Sequence, residues 1–282
     1  MNREVALKVL REEYLERADV VQRFVEEAQV GGQLQHPGIV PVYGLGLQAD
    51  GRPSFAMKLV KGRTLAELLE TNPKGIDLLA VFHQVVQTIA YAHSRGVIHR
   101  DLKPANVMVG AYGEVQVVDW GFAKVLGQEE PARPQQTLIE TVRSGPEGSQ
   151  SMVGSVMGTP AYMPPEQAMG RIGELDERSD VFALGAILLE ILTGAPAYTG
   201  EWRDVIRMAA RGDLDDAHAR LEACIADDEL VELCRNCLQA VPEERLPDAG
   251  AVTERLSAYL GAVEERARRA QLDAAEARVR AE

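Results

Sequence analysis

The chain has few cysteines, no long apolar run and fewer basic than acidic residues, and each shortage excludes a class of protein. Three cysteines in 282 residues are too few for a disulfide framework, which favours a reducing compartment. No stretch approaches the roughly 18 apolar residues of a membrane span. The N-terminus also lacks an apolar signal segment. We therefore expect a cytoplasmic protein with no membrane segment.

Charge and composition narrow the choice further. Forty-three acidic residues against 30 basic residues give a net charge of −13, which repels a phosphate backbone and argues against a nucleic-acid partner. With 46% hydrophobic and 26% charged residues, the composition is that of a folded globular protein. The length predicts one large domain or two small ones.

Two of the cysteines, Cys234 and Cys237, have the spacing of half a tetrahedral zinc site. The other half is missing, because only Cys224 and His218 lie nearby in the sequence. Apolar residues recur at helical spacing through 229–238, so we favour two cysteines buried on a helix over a zinc site.

Residues 1–61 predict a small lobe in which one helix packs on a sheet. Asp19 could cap that helix, and the pair Asp50-Gly51 between two apolar runs is typical of a hairpin turn. The predicted elements are a strand at 4–10, a helix at 19–35 and a hairpin formed by 39–47 and 54–60.

Residues 62–260 predict a larger, mainly helical lobe, so the expected fold class is α+β with two lobes. A long segment from 119 to 163 has little periodicity, and a loop of that length should be functional or disordered. Helices are predicted at 65–69, 78–94, 179–193, 201–211, 228–239 and 248–260, and short strands at 107–109 and 115–118.

Residues 261–282 predict a charged helical extension. Apolar residues, most of them alanine, alternate four and three apart from Leu256 to Ala281, as in a coiled-coil seam. Alanine buries little area, so we favour a solvated linker helix over a dimerising coiled coil. Such a linker would lead toward a further domain beyond residue 282.

The strongest signal is the segment 97–106, which reads VIHRDLKPAN and is followed by Asp119-Trp120-Gly121. These motifs resemble the catalytic loop and the metal-binding motif of protein kinases, in particular of bacterial serine/threonine kinases of the eukaryotic type. The resemblance extends from about Val5 to about Leu260, with the motifs in the expected order. It implies a two-lobed kinase fold that transfers the γ-phosphate of ATP, with Mg²⁺, to a protein substrate.

The resemblance gives each polar residue of these motifs a role. Asp101 would accept the proton of a Ser or Thr hydroxyl, and Lys103 would place an ammonium group beside the γ-phosphate. Asn106 and Asp119 are hard oxygen ligands suited to Mg²⁺. An Asp-x-Lys pair resembles the serine/threonine branch of the family rather than the tyrosine branch.

Lys8 lies in a segment that resembles the family's strand lysine, which contacts the α- and β-phosphates. Its partner should be a helix glutamate, and two adjacent candidates are present, Glu26 and Glu27. The surrounding residues match the family best at Glu27, which would hold Lys8 toward the phosphates and leave Glu26 as the solvated neighbour.

The adenine would need an apolar slot and a backbone hinge between the lobes. The resemblance places the hinge at Lys58 to Val60, although many relatives carry an acidic residue where this chain has Lys58. Plain core packing explains the apolar residues equally well. The slot residues implied by the resemblance are Ala6, Val40, Met57 as the gate, and Met108.

Further matches imply structural roles. Thr159 would hydrogen-bond near Asp101 and Lys103. Glu166 would form a buried ion pair with Arg245, which fixes a geometry more than it adds stability. Asp180 would cap the backbone of the catalytic loop.

Arg100 precedes the catalytic aspartate, an arrangement that in the family often receives a phosphate on the activation loop. Ser149, Ser151 and Ser155 are the nearest candidate acceptors. Autophosphorylation of one of them would order the loop through Arg100. A flexible polar loop without regulation is the alternative.

The chain departs from the family pattern at its N-terminus. The Gly-rich loop that covers the ATP phosphates should lie well before the strand lysine, yet only seven residues precede Lys8. Either the chain starts too late, with its first strands lost, or it is a degenerate kinase. The alternative function is therefore a pseudokinase that serves as a binding scaffold.

Two smaller departures are Trp120 in place of the usual phenylalanine and Pro164 in place of the usual alanine. Neither removes a ligand, although the indole N–H of Trp120 needs a partner and could shift the balance between active and inactive states. A kinase of small molecules is the third class considered. The segment 159–166 argues against it, because that segment resembles the family's platform for a peptide substrate.

Overall fold

The computed structural model describes residues 4–71, 75–127 and 159–281. The candidate phosphate acceptors Ser149, Ser151 and Ser155 lie outside the described residues. The described residues form a small lobe of sheet and helix and a larger helical lobe. The predicted α+β, two-lobed fold class is confirmed.

The small lobe is a three-stranded antiparallel sheet with one helix packed on it. The strands are β1 (Val5–Val9), β2 (Val42–Leu47) and β3 (Pro53–Lys58), in the order β1-β3-β2, and the helix is α1 (Ala18–Gln33). Sheet and helix meet in an apolar cluster of Leu10, Phe24, Ala28 and Phe55. The predicted strand, helix and hairpin are present.

One detail of the small lobe differs from the prediction. The N-cap position of α1 is Arg17, so Asp19 lies inside the first turn and the predicted cap is wrong. The Asp19 carboxylate accepts hydrogen bonds from Arg17 and Arg23, at 3.2 and 2.8 Å. An acidic side chain in the first turn still interacts favourably with the helix dipole.

The large lobe combines short strands with helices. Its strands are β4 (Gly62–Thr64), β5 (Val97–Ile98), β6 (Val107–Gly110), β7 (Val115–Val117) and β8 (Lys124–Val125). Its helices are α2 (Leu65–Thr71), α3 (Leu78–Ser94), α4 (Pro165–Ala168), α5 (Glu177–Thr193), α6 (Trp202–Arg211), α7 (Asp215–Ala223), α8 (Asp228–Cys237) and α9 (Ala249–Ala281). The sequence pattern does not predict α7, because this helix is short and mostly polar.

Helix α5 is the centre of the large lobe. Its eleven residues from Ser179 to Leu189 are all buried, because α3, α8 and α9 pack around it. Gly185 permits the close approach of α8, since a Cβ at this position would lie 2.6 Å from the Cβ of Cys237. Cys234 and Cys237 are buried free thiols on α8, which confirms their interpretation as helix cysteines.

The predicted helix at 248–260 and the predicted helical extension at 261–282 form one continuous helix. α9 runs from Ala249 to Ala281, so the predicted boundary between 260 and 261 falls inside it. Side chains up to Leu260 pack against the lobe, whereas those from Glu264 to Arg280 are exposed. Among the helices of the described residues, none combines the length and the apolar character needed to cross a membrane.

A buried ion pair joins α4 to the loop before α9. Arg245 donates from Nη1 and Nη2 to the two carboxylate oxygens of Glu166, at 2.7 and 2.8 Å. The side chain of Arg245 has 0% of its surface exposed and that of Glu166 has 6%. The guanidinium also donates to three backbone oxygens, those of Arg178, Gln239 and Ala240. The two residues expected to pair therefore lie in contact.

Breaking this pair should destabilise the protein. Arg245→Met leaves the Glu166 carboxylate buried without its cationic partner, which typically costs about 3–5 kcal/mol of the free energy of unfolding. Arg235→Ala is the control, because it removes an exposed ion pair with Glu222 in the same lobe and should cost less than about 1 kcal/mol. Urea unfolding followed by circular dichroism measures both costs. Equal costs would contradict the account of a buried pair.

Candidate active site

A buried carboxylate holds the loop that connects β5 to β6. Asp180, on α5, accepts hydrogen bonds from the backbone N–H groups of His99 and Arg100, at 2.7 and 2.9 Å. Arg100 has a φ of 65°, which is uncommon for a residue with a side chain. The hydrogen bond to Asp180 stabilises this conformation. Asp180, the residue expected to cap the catalytic loop, thus contacts the backbone of that loop.

Asp180 has a further partner, His93, for which the sequence predicts no role. The Nε2 atom of His93, on α3, lies 3.0 Å from Asp180 Oδ2. His93 Nδ1 accepts a 3.2 Å hydrogen bond from the backbone N–H of Ala249, so the ring proton is on Nε2 and points at the carboxylate. Burial alone would raise the pKa of Asp180, but the interactions with His93 and His99 outweigh burial and lower that pKa. The buried carboxylate is therefore ionised.

Three neighbours hold Asp101, whose side chain is 4% exposed. Lys103 Nζ lies 2.9 Å from Asp101 Oδ2. Asn106 Nδ2 donates to the backbone oxygen and to Oδ2 of Asp101, at 2.8 and 3.2 Å. The backbone N–H of Thr159 donates to Asp101 Oδ1 at 3.0 Å, and its Oγ1 accepts a 2.7 Å hydrogen bond from Lys103. Four of the residues expected at the site thus form one hydrogen-bonded group.

Lys8 and Glu27 meet in the small lobe. Lys8 Nζ donates to both carboxylate oxygens of Glu27, at 2.5 and 2.7 Å. Glu26, the other candidate, is exposed and accepts a hydrogen bond from Gln22 instead. Lys8 Nζ also lies 3.7 Å from Asp119 Oδ1, so this ammonium group links a helix of the small lobe to the end of a strand in the large lobe.

The surroundings of Asp119 fit a divalent cation. Asp119 follows β7 with φ 63° and ψ 62°, and a Cβ at Gly121 would lie 3.2 Å from Glu27 Oε2, so the glycine leaves room for these carboxylates. Because the Nδ2 group of Asn106 is bound to Asp101, its amide oxygen is the atom that can face a cation. One carboxylate and one amide are hard oxygen donors, and Mg²⁺ binds such donors together with phosphate oxygens and water.

The residues expected around the adenine are spread over three strands and their flanking loops. Ala6 of β1 and Met57 of β3 are direct cross-strand partners. The backbone N–H of Lys58 donates to the backbone oxygen of Pro41 at 3.0 Å, so it is occupied within the lobe. The remaining residues, which are buried or half-buried, are Val40, Val60 and Met108. A role of this set in nucleotide binding stays a prediction.

Two further hydrogen bonds near the site are not predicted from the sequence. Gln167 Nε2 donates to the backbone oxygen of Arg100 at 2.7 Å. The hydroxyl of Tyr162 donates to Glu190 Oε2 at 2.7 Å, and burial raises the pKa of both groups. A signal for the second contact exists in the sequence, because Glu190 is a charged residue within the apolar run of α5. Its partner is 28 residues away along the chain and cannot be identified by spacing.

Comparison with known proteins agrees with this geometry. The family model described as the protein kinase domain matches residues 1–256, which is most of the chain. The chain belongs to the protein kinase family. The segment 97–106 and the residues 119–121, which resemble the family's catalytic loop and metal-binding motif, lie within the matched region.

This kinase domain is also similar to curated serine/threonine kinases. It is 37% identical over 207 residues to serine/threonine-protein kinase PknD of Protochlamydia amoebophila, a match that covers 68% of this chain and 20% of that protein. For PknD of Chlamydia pneumoniae the identity is 36% over 205 residues, covering 68% and 21%. For PknD of Chlamydia trachomatis serovar D it is 36% over 230 residues, covering 73% and 24%. The matched part of the chain thus spans about a fifth to a quarter of these relatives.

Arg100 is held by the backbone that follows Asp119. Its Nε donates to the backbone oxygen of Phe122 at 2.5 Å, and Nη2 lies 3.5 Å from that of Ala123. The expected contact of Arg100 with a phosphate on the activation loop stays a prediction, because the candidate serines, Ser155 among them, lie outside the described residues.

The position of Lys8 depends on Glu27 and not on Glu26. Glu27→Gln replaces a charged partner by a neutral amide and should lower kcat/KM for ATP about ten- to hundred-fold, the usual range for a hydrogen bond to a charged group. Glu26→Gln removes the neighbouring exposed carboxylate and should leave kcat/KM unchanged. Steady-state kinetics with varied ATP measures both. If the two substitutions act equally, Glu27 is not the specific partner of Lys8.

Proposed function

We propose that the chain is the catalytic domain of an ATP-dependent protein serine/threonine kinase. The observation that supports this most strongly is the group formed by Asp101, Lys103 and Thr159. The Lys103 ammonium group contacts the Asp101 carboxylate at 2.9 Å and the Thr159 hydroxyl at 2.7 Å, and the backbone N–H of Thr159 donates to the same carboxylate at 3.0 Å. The printed names of the relatives, serine/threonine-protein kinase, give separate support.

In this proposal Asp101 orients the attacking hydroxyl of the substrate. Phosphoryl transfer needs little covalent help, but it needs an oriented hydroxyl and neutralised charge on the phosphate. Asp101 accepts the proton of the substrate hydroxyl. Hydrogen bonds from Asn106 and Thr159 fix its carboxylate, so the direction in which it holds that hydroxyl is also fixed. Lys103 stabilises the negative charge that develops on the transferred phosphate.

The nucleotide would lie between the lobes. Lys8 would bind the α- and β-phosphates, because Glu27 holds its ammonium group at a defined position. Asn106 and Asp119 would hold Mg²⁺, which when bound neutralises charge on the phosphate oxygens. The adenine would contact the hinge 58–60 and the apolar residues Ala6, Val40, Met57 and Met108.

The substrate and location follow from the same chemistry. We propose a protein substrate that presents a Ser or Thr hydroxyl, since Lys103 follows Asp101 as in the serine/threonine branch. An ATP-dependent reaction and three free thiols favour a cytoplasmic location. Autophosphorylation at Ser149, Ser151 or Ser155, received by Arg100, is the proposed regulation.

Replacement of the catalytic carboxylate tests this function. Asp101→Asn keeps the shape of the side chain but cannot accept the proton, so kcat should fall about 10²–10⁴-fold. Asp228→Asn, exposed at the start of α8, is the control and should retain wild-type kcat. The measurement is transfer of labelled γ-phosphate to a basic protein and to the chain itself. Equal incorporation by wild type and Asp101→Asn would reject the proposed role of Asp101.

A further inference from the structure

Trp120 is hydrogen-bonded to β7, the strand that precedes Asp119. Its side chain is buried, and its indole Nε1–H donates a 3.2 Å hydrogen bond to the backbone oxygen of Val117. This bond closes a short ring of backbone around Val118 and Asp119, and Asp119 is the residue with the left-handed conformation. The hydrogen bond therefore resists a backbone rotation that would turn the Asp119 carboxylate away from Lys8.

His99 holds the same stretch from the neighbouring loop. Its ring centroid lies 4.7 Å from that of Trp120, with an interplanar angle of 60°. His99 Nε2 lies 3.2 Å from the backbone oxygen of Val118. Two consecutive backbone oxygens, those of Val117 and Val118, thus each contact a buried aromatic side chain. His99 is itself held through its backbone N–H by Asp180.

The backbone N–H groups of this stretch are also occupied. Val117 donates to the backbone oxygen of Gly38 at 2.8 Å, and Val118 donates to that of Asn106 at 2.9 Å. The backbone N–H and C=O groups of Val117 and Val118, the two residues before Asp119, therefore all have a polar partner. At the other end of its side chain, Oδ1 lies 3.7 Å from Lys8 Nζ.

We propose that the indole N–H of Trp120 makes it a positioning residue for Asp119, holding the carboxylate toward the cation site before nucleotide arrives. This inference rests on the proposed function, in which Asp119 binds Mg²⁺. A phenylalanine at this position would keep an aromatic ring beside His99 but would have no N–H. The two side chains differ in the hydrogen bond to Val117 and in ring size. A Trp→Phe change at a buried indole without an acceptor in the described part of the chain therefore controls for ring size, so the contribution of the hydrogen bond can be measured separately.

Trp120→Phe tests the proposal, and Trp202→Phe is the matched control. Trp202, on α6, also has a buried indole N–H, but it meets no acceptor among the residues that the structure describes. Isothermal titration with Mg²⁺·ADP and with metal-free ADP separates binding of the cation complex from binding of the nucleotide. Trp120→Phe should weaken Mg²⁺·ADP binding about three- to ten-fold, as expected for one hydrogen bond, and leave metal-free ADP binding unchanged. Trp202→Phe should change neither.

A second measurement needs no ligand. The chain contains two tryptophans, so labelling with ¹⁵N-tryptophan gives two indole signals, which the two variants assign. In the ligand-free wild type, the Trp120 indole proton should exchange with deuterium more slowly than a solvent-exposed indole, because it is buried and hydrogen-bonded. Circular dichroism and thermal unfolding establish that both variants fold.

The outcomes separate this proposal from the proposed function. Loss of affinity confined to Mg²⁺·ADP in Trp120→Phe supports the positioning role. Unchanged affinity, equal loss for both forms of ADP, or fast exchange of the Trp120 indole in wild type overturns it. If the wild type binds no Mg²⁺·ADP, the proposed function fails, and the exchange rate alone then decides whether Trp120 holds the stretch around Asp119.

Discussion

The geometry of the site depends on one buried carboxylate. Asp180 lies in the buried part of α5 and accepts hydrogen bonds from the backbone N–H groups of His99 and Arg100 and from the ring N–H of His93. The other ring nitrogen of His93 accepts the N–H of Ala249, at the start of α9. Because an ionised group is costly to bury without partners, the contacts of Asp180 with α3 and the catalytic loop compensate for its burial in α5. The same buried carboxylate therefore stabilises the packing of the large lobe and fixes the loop that carries the site.

Paired charges hold one lysine in each lobe. Lys8 in the small lobe contacts Glu27 and lies near Asp119, and Lys103 in the large lobe contacts Asp101. Each of these two ammonium groups therefore has a carboxylate partner, which limits the cost of placing it between the lobes. Pairing also holds a flexible lysine side chain in one position, and the proposed phosphate transfer needs that precision.

Elements with a periodic apolar pattern could be predicted from the sequence, and the short, mostly polar helix α7 could not. The apolar stripe of α3 predicts its observed bounds, Leu78–Ser94. The alternating pattern from Leu256 to Ala281 predicts the exposed end of α9, but not that this end continues the buried helix without a break. The kinase motifs could be found because phosphoryl transfer requires particular side chains at short spacings. The roles of His93 and Glu190 could not, because their partners lie 87 and 28 residues away and are chosen by packing.

The most direct test of the role of Asp180 is amide hydrogen exchange in the wild-type protein. His99 and Arg100 lie in a loop, where backbone N–H groups usually exchange quickly, but both donate to a buried carboxylate. The account predicts that these two N–H groups exchange as slowly as the buried backbone of α5. Exchange at the rate of an exposed loop would show that Asp180 does not hold the catalytic loop in solution.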